Sequence, residues 1–497
     1  MTWGGVRAPK PRFCRDRALT RRATVASMFW YVSLGVVGAL VLLSVASATT
    51  RRLWLFGLYA AKYLVLLAGD RIGLRRMRAR LMGRDYLPLT GPLALRLFCE
   101  DMGPTFIKFG QIVASSAGMF PAHYTLEFQK VLDRVRSFPF HQVTEIVREE
   151  LGDRAAELGE IDPEPLAAAS IAQVHTATLA DGERVVLKVQ RPGIQRLIAA
   201  DVRLMKAVAR VAARLFPRRT EFINPVGFVA DFAATLREEL DFRKEAENLD
   251  RFNDIMRELA YKDVRAPVPN WALTSARLLV MERFMGTRVD DEAGIRGRGL
   301  DGEEKLVHGL RAWFQCVVYY GFFHGDVHAG NLMLLDTGDL GFLDFGIVGR
   351  FDDRQRRLVT EYVVAFATGD YKTLAQVIVE MGGVAGSEID MARFQADLKQ
   401  AYSPLLTLAF GELNYADMLP GINKVARDHR MVMPREFILI LKQMLYFDRY
   451  AKILAPKLNV FSDPRLVMGL LQDVQKVRAE SAAAAGQAAG RASSARA

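Results

Sequence analysis

Cysteine is scarce in this 497-residue sequence: Cys14, Cys99 and Cys316 are the only three, with no CxxC pair and no even set. That excludes a secreted disulfide scaffold and a cysteine-built zinc module, and fits reduced thiols in a cytoplasm-facing protein. Histidine is nearly as rare, at seven. His324 and His328 make an HxxxH spacing, but no glutamate follows His324 as a zincin helix requires, and no third ligand is apparent. There is also no internal repeat. Apolar residues make up 51% and charged residues 25%, enough for a large core divided into two or three packed units.

Basic charge is absent from most of the chain, although the net value is +11. Residues 1–27 carry +6 and residues 51–84 carry +8, which leaves −3 for the rest. A basic excess confined to one end argues against a nucleic-acid groove. Between the two basic blocks, "ATVASMFWYVSLGVVGALVLLSVASATT" (residues 23–50) holds no charge and is long enough to cross a hydrocarbon layer as a helix. A buried core helix or a signal peptide ending near Ala46 and Ala48 fits less well. The run is longer than a signal h-region and lacks polar residues at helical spacing. The expectation is a basic segment over 1–27 and a transmembrane helix over 28–50.

The next run, "LWLFGLYAAKYLVLLAG" from Leu53, has Lys62 at its centre. It reads as an interfacial helix, a returning hairpin arm, or a segment packed on the body of the protein. Seven basic residues ahead of a single span would hold the N-terminus inside and export the rest of the chain. A hairpin resolves this, as does a translation start at Met28, which a peptide covering "DRALTR" would exclude.

Beyond residue 85, "TFIKFGQIVASSAGMF" and "TLEFQKVLDRV" have helical patterns, and "SIAQVHTATLADGERVVLKVQRPG" reads as two strands joined at Asp181 and Gly182. Alternation in "RVVLKVQ" places Val186, Lys188 and Gln190 on one face and Val185, Leu187 and Val189 on the other. Helices follow over about 195–256. Then comes "ARLLVMERFMGTRV", a strand running into a linker, and a mostly helical remainder to about residue 475.

The densest polar run is "FFHGDVHAGNLMLLDTGDLGFLDFG", residues 322–346. Its order is loop, strand, tight turn, strand, second acidic loop. Kinase-like phosphoryl transfer needs that order: an Asp for the acceptor proton, an Asn five residues on for a metal ion, and a second Asp after a hairpin for Mg²⁺. Asp326, Asn331 and Asp344 fit those roles as catalytic residues, with Asn331 and Asp344 as the metal ligands. Asp and Asn are also ordinary turn residues, and a lone Asp-Phe-Gly means little. The combined spacing with a strand lysine upstream is much more specific, and the two histidines read as loop supports.

Together, "KFGQ" (108–111), "PLAAASIAQVH" (165–175), "VVLKVQRPG" (185–193), "EELDFRKEAEN" (238–248), "HGDVHAGN" and "LDFG" resemble the UbiB/AarF family of atypical protein-kinase-like proteins over about residues 98–350. The resemblance implies an α+β, bilobal protein-kinase-like fold with an N-terminal helical extension behind a transmembrane helix. Membrane-proximal helices would occupy 51–97, the extension 98–150, the small lobe with its helical insert 151–285 and the mostly helical large lobe 286–475, ahead of a low-complexity tail over 476–497. It implies ATP or ADP and Mg²⁺ as cofactors, with Lys188 on the α/β-phosphates and paired with Glu245. The nucleotide would be bound by Ala167, Ala168, Ala169 and Ser170, in place of a glycine-rich loop, and by the linker residues Met281, Glu282 and Phe284. Lys108 and Gln111 would fold over the site near Glu239 and Asp241. Implied partners are the bilayer and an isoprenoid or quinone lipid or quinone-biosynthesis proteins, at a bacterial plasma membrane with the catalytic domain on the cytoplasmic face.

Several details carry their own physics. Glu239 and Glu245, six residues apart, would point about 240° apart on one helix, one carboxylate for each lysine. The same charge-dense stretch would otherwise be a solvated face of i, i+4 pairs. Alanine in the phosphate loop resists left-handed backbone, which predicts looser or differently selective nucleotide binding. No long activation segment and no Ala-Pro-Glu follow "DFG", which disfavours a peptide substrate. Leu132 in "VLD" stands where the family usually has glutamine, and the span is N-terminal where many bacterial members have one at the C-terminus. Three functions compete: a membrane-anchored atypical kinase or ATPase in quinone or isoprenoid-lipid metabolism, a small-molecule phosphotransferase of the aminoglycoside/choline-kinase type, and a non-catalytic nucleotide-gated lipid-binding scaffold.

Overall fold

The computed structural model describes residues 47–83, 85–115, 122–128, 130, 137–217, 224–381, 389–407 and 435–458, with isolated positions between 421 and 472. Most of the expected span (residues 28–46), the segment 1–27, the "VLD" run and the tail 476–497 lie outside the described residues. In chain order the helices begin with α1 (Ala48–Arg71), α2 (Leu74–Leu81), α3 (Gly91–Met102), α4 (Pro104–Ser115), α5 (Ala122–Phe128) and α6 (Phe140–Leu151). Strands β1 (Leu158–Ile161), β2 (Ala167–Ala168), β3 (Ala172–Leu179) and β4 (Arg184–Gln190) precede α7 (Ile194–Leu215), α8 (Pro225–Glu239) and α9 (Phe242–Glu258). Then come β5 (Val264–Arg265), β6 (Leu278–Glu282), β7 (Gly286–Arg288), α10 (Glu292–Gly297), α11 (Gly302–Gln315), β8 (Phe322–His324), β9 (Leu332–Leu335), β10 (Leu340–Phe342) and β11 (Val348–Arg350). Helices α12 (Asp353–Ala367), α13 (Tyr371–Glu380), α14 (Met391–Thr407) and α15 (Arg435–Leu454) complete it.

The chain divides into two compact units, Met1–Leu89 with Gln195–Val229, and Thr90–Ile194 with Ala230–Ala497. In the first, α1 takes up the apolar run from Leu53 as one helix of 24 residues, long and apolar enough to cross a membrane. Lys62 at its centre lies over the Tyr63 ring at 4.8 Å and the Tyr59 ring at 5.6 Å. Arg52 forks onto both carboxylate oxygens of the fully buried Asp201 on α7, the bidentate geometry that makes a buried carboxylate tolerable. Arg75, Arg76, Arg78 and Arg80 give α2 its basic character, while Leu74, Met77 and Leu81 remain exposed.

The second unit contains an antiparallel sheet ordered β1-β3-β4-β6, with β2 paired to β3. The β3–β4 turn needs Gly182, whose φ of +91° is costly for any residue with a Cβ. Val185, Leu187 and Val189 of β4 and Leu278 and Val280 of β6 pack on Val143, Ile146 and Val147 of α6 to form a core. Burial of each such side chain contributes about 2 kcal/mol. The opposite face carries Lys188, with Leu279 as its register partner on β6. In "ARLLVMERFMGTRV" the expected strand is β6 of this sheet, residues 283–285 run on from it, and β7 then joins another sheet, ordered β5-β10-β9-β7. Strands β8 and β11 form a separate antiparallel pair.

One correction concerns Glu239 and Glu245, which do not share a helix. Glu239 ends α8, and Asp241 starts α9 afresh by accepting the Arg243 N–H on its side chain. The Asp cap competes with helix continuation. The Leu240 carbonyl freed at the break accepts from Gln190 Nε2 at 2.9 Å.

Candidate active site

Lys188 reaches the site because β4 is buried on both faces, so its ammonium meets protein rather than water. Its Nζ lies 2.8 and 2.9 Å from the oxygens of Glu245 and 3.1 Å from Asp344 Oδ1. Glu245 is in the first turn of α9 and is 5% exposed. Burial first, and the Asp344 charge after it, push the Glu245 carboxyl up to about 7 against the pull of Lys188. One cation shared by two carboxylates leaves the more buried one undercompensated. For Asp344, burial also opposes ionisation, but Lys188 and Lys108 outweigh it and hold the carboxyl well below the ordinary range. Lys188 itself is held above the ordinary lysine value, its burial outweighed by the two acids.

Asp344 has a left-handed backbone, φ +54°, one of three such non-glycine residues among the described ones. Strain of this kind costs on the order of 1 kcal/mol and persists where neighbours enforce it. The neighbours here are evident. Phe345 is fully buried, with its ring 4.9 Å from Phe252 of α9 and 4.6 Å from His324. Its carbonyl accepts from Asn248 Nδ2 at 2.9 Å, while Asn248 Oδ1 accepts from Arg350 at 2.6 Å. The helix that carries Glu245 thus also fixes the Asp-Phe-Gly turn.

The loop before β9 is held by its own side chains. His324 Nε2 meets the Leu343 carbonyl at 2.7 Å, and its Nδ1 accepts the Asp326 N–H at 3.0 Å. Burial keeps this histidine below its ordinary value, in keeping with a neutral ring that both donates and accepts. His328 Nδ1 accepts from Gly330 N–H. Asn331 donates Nδ2 to the Asp326 carbonyl at 2.9 Å, which leaves its Oδ1 as the amide's acceptor. Asp326 is half-buried.

Lys108 on α4 lies 3.0 Å from Glu239. Burial works against its charge, but Glu239, and more distantly Asp344 and Asp326, hold it above the ordinary lysine value. Gln111 is one turn further along α4 and half-buried. Asp241 is brought to Arg243, through its cap and a 2.8 Å ion pair. The run Ala167–Ser170 folds without any left-handed residue. Ala167 and Ala168 form β2, opposite Val174 and Gln173. Arg191, at the end of β4, bonds the carbonyls of Ala169 and Ser170, each at 3.3 Å, and lies over the Phe138 ring. Met281 pairs with Val186 in register on the Lys188 side of the sheet. Glu282 is bound to Arg265 at 2.8 Å, and the Arg265 guanidinium lies over the Phe284 ring.

Residues not singled out from the sequence also shape the site. Arg191 and Asn248 lie inside quoted motifs, so their position was a signal. Trp313, whose Nε1 donates to the His324 carbonyl at 3.0 Å, and Gln443 and Tyr450 on α15 come from helices with no such mark.

The sequence has counterparts among known proteins. The ABC1 atypical kinase-like domain matches residues 130–378, and the UbiB helical domain matches residues 398–459. An uncharacterized protein of Mycobacterium tuberculosis is 41% identical over 402 residues, 79% of this chain and 81% of its own. An aarF domain-containing protein kinase of Arabidopsis thaliana, described as uncharacterized and chloroplastic, is 36% identical over 406 residues, covering 76% of this chain and 75% of that one. A probable protein kinase UbiB of Marinobacter nauticus is 32% identical over 375 residues, covering 74% and 68%. The chain belongs to the UbiB/AarF family of ABC1 atypical kinase-like proteins.

Proposed function

We propose that this family member is a membrane-anchored atypical kinase or ATPase that uses Mg²⁺-ATP in quinone or isoprenoid-lipid metabolism. The observation that carries the reading is the convergence of Lys188, Glu245 and Asp344, with Phe345 packed beneath α9. Lys188 binds the α/β-phosphates, oriented by Glu245. Asp326, on a loop whose backbone is fixed, accepts and orients the proton of the attacking hydroxyl or water. Asn331 Oδ1 and the Asp344 carboxylate are hard oxygen donors of the kind Mg²⁺ takes, and would hold it. When bound, the ion neutralises charge on the phosphates.

Residues 347–352 alone separate Gly346 from α12, and three of them form β11. No peptide-seating segment fits there, which favours a small acceptor or water. The apolar α1 and basic α2 support placement at a bilayer, and the family's association with ubiquinone and other isoprenoid lipids supports the pathway.

The test is phosphate release by the full chain in detergent with Mg²⁺ and ATP, with and without an isoprenoid quinone, beside D344N. Release by the wild type alone supports catalysis. Equal release by both overturns it in favour of a nucleotide-gated scaffold.

A further inference from the structure

Asp326 is gripped from behind by a helix outside the kinase-like domain. Gln443 on α15 is fully buried. Its Nε2 donates to the Gly325 carbonyl at 2.6 Å and its Oε1 accepts the Val327 N–H at 2.8 Å, so one amide brackets the residue between them. Seven residues on, Tyr450 donates its hydroxyl to the Val327 carbonyl at 2.7 Å. Two helical turns return a side chain to nearly the same face, and Phe447 lies on that stripe, 5.6 Å from the ring of Trp313, which holds the His324 carbonyl.

The remaining backbone groups are accounted for as well. Gly325 N–H donates to the Ile347 carbonyl, Asp326 N–H to His324, and the Asp326 carbonyl accepts from Asn331. Every main-chain donor and acceptor from Gly325 to Val327 has a partner, most of them side chains, and α15 supplies those on both flanks of Asp326. A planar amide presents a donor and an acceptor on one edge at the spacing of a peptide strand. Leucine offers neither, and a carboxylate offers only acceptors.

We propose that Gln443, assisted by Tyr450, is a positioning residue for Asp326, and that the helical region after the kinase-like domain is therefore part of the active site. The role rests on the phosphoryl-transfer reading above. A polar pair at these positions orients the catalytic aspartate without touching the nucleotide, so it acts on turnover and not on nucleotide affinity.

The test compares wild type, Q443L, Q443E and Y450F as full chains in detergent, reading kcat and KM for Mg²⁺-ATP, the melting temperature and amide hydrogen exchange at residues 325–327. Misplacement of a reacting group by about 1 Å costs on the order of 10²-fold, so Q443L is expected to lose about that in kcat with KM within about twofold. Q443E places a carboxyl, fully buried, against the Gly325 carbonyl, which favours its protonated, donating form, so this variant is expected to keep activity at low and neutral pH and to lose it as alkali ionises the carboxyl, a loss wild type does not share. Loss of kcat and KM together in step with melting, or a Q443E profile parallel to wild type, would overturn the positioning role. If Q443L fails to fold, Y450F, which loses one hydroxyl, decides by the same kcat-against-KM split. If wild type releases no phosphate, the catalytic reading has failed by itself. The clamp is then judged by exchange: faster exchange at 325–327 in Y450F supports it, and unchanged exchange refutes it.

Discussion

The ammonium of Lys188 touches both oxygens of Glu245, at 2.8 and 2.9 Å, with nearly no solvent access to either side chain. Removing one partner of such a pair leaves a buried charge without compensation, at a cost of about 3–5 kcal/mol. K188M is therefore expected to lower unfolding stability by about 3 kcal/mol, at the low end because Glu245 can take up a proton. The double variant K188M/E245L should recover most of that. Urea denaturation checks both, and a double variant no more stable than K188M would show that the pair is not the source.

The Glu245 carboxyl gives stability a pH dependence of definite sign. Its value in the folded protein, about 7, lies above the ordinary 4.5, so the folded state binds the proton more tightly than the unfolded chain does. Its contribution is complete below about pH 4.5 and is lost as pH rises through about 7. Melting temperatures of the nucleotide-free protein between about pH 5 and 8 should show wild type losing stability relative to E245Q steadily as pH rises. A constant difference would place the titration elsewhere.

Asp344 combines a carboxylate beside Lys188 with a left-handed backbone. D344A and D344G should both abolish Mg²⁺-dependent phosphate release, yet D344G should be the more stable by about 1 kcal/mol because glycine adopts φ +54° without steric cost. Thermal unfolding of the two variants separates backbone strain from the missing carboxylate. Equal stabilities would mean that the turn relaxes once the side chain is gone.

The alanine run should set nucleotide preference. Ala168 sits in β2 opposite Gln173, and A168G gives the loop access to conformations that let backbone N–H groups close on phosphates. The ratio of ATP to ADP affinity is expected to change, with about 0.5–1 kcal/mol of stability lost. An unchanged ratio in a binding titration would remove the loop from nucleotide discrimination.

How much of this could be read from the residues depended on distance along the chain. The β3–β4 hairpin was legible because Asp181-Gly182 and the period-two pattern are local. Lys188 facing away from the α6 core followed from the same alternation. The break between Glu239 and Glu245 was not read, because Asp241 inside a charge-dense run looks like one more helical surface residue until its carboxylate is seen capping Arg243. Glu282 and Phe284 have partners on β5 that depend on sheet order, which no local pattern encodes. The bond from Gln443 to Gly325 joins residues 118 apart, and a glutamine in an amphipathic helix gives no sign of where its amide points.

Arg191 directly follows the strand that bears Lys188 and also holds the carbonyls of Ala169 and Ser170. The run Ala167–Ser170 is thereby riveted to the plate that carries the lysine, unlike a glycine flap that swings by itself. On the proposed reading, a nucleotide bound beneath this run would leave only when the Arg191 bonds and the β2–β3 pairing give way or the sheet moves with them, so its residence time would report on the sheet and not on a loop.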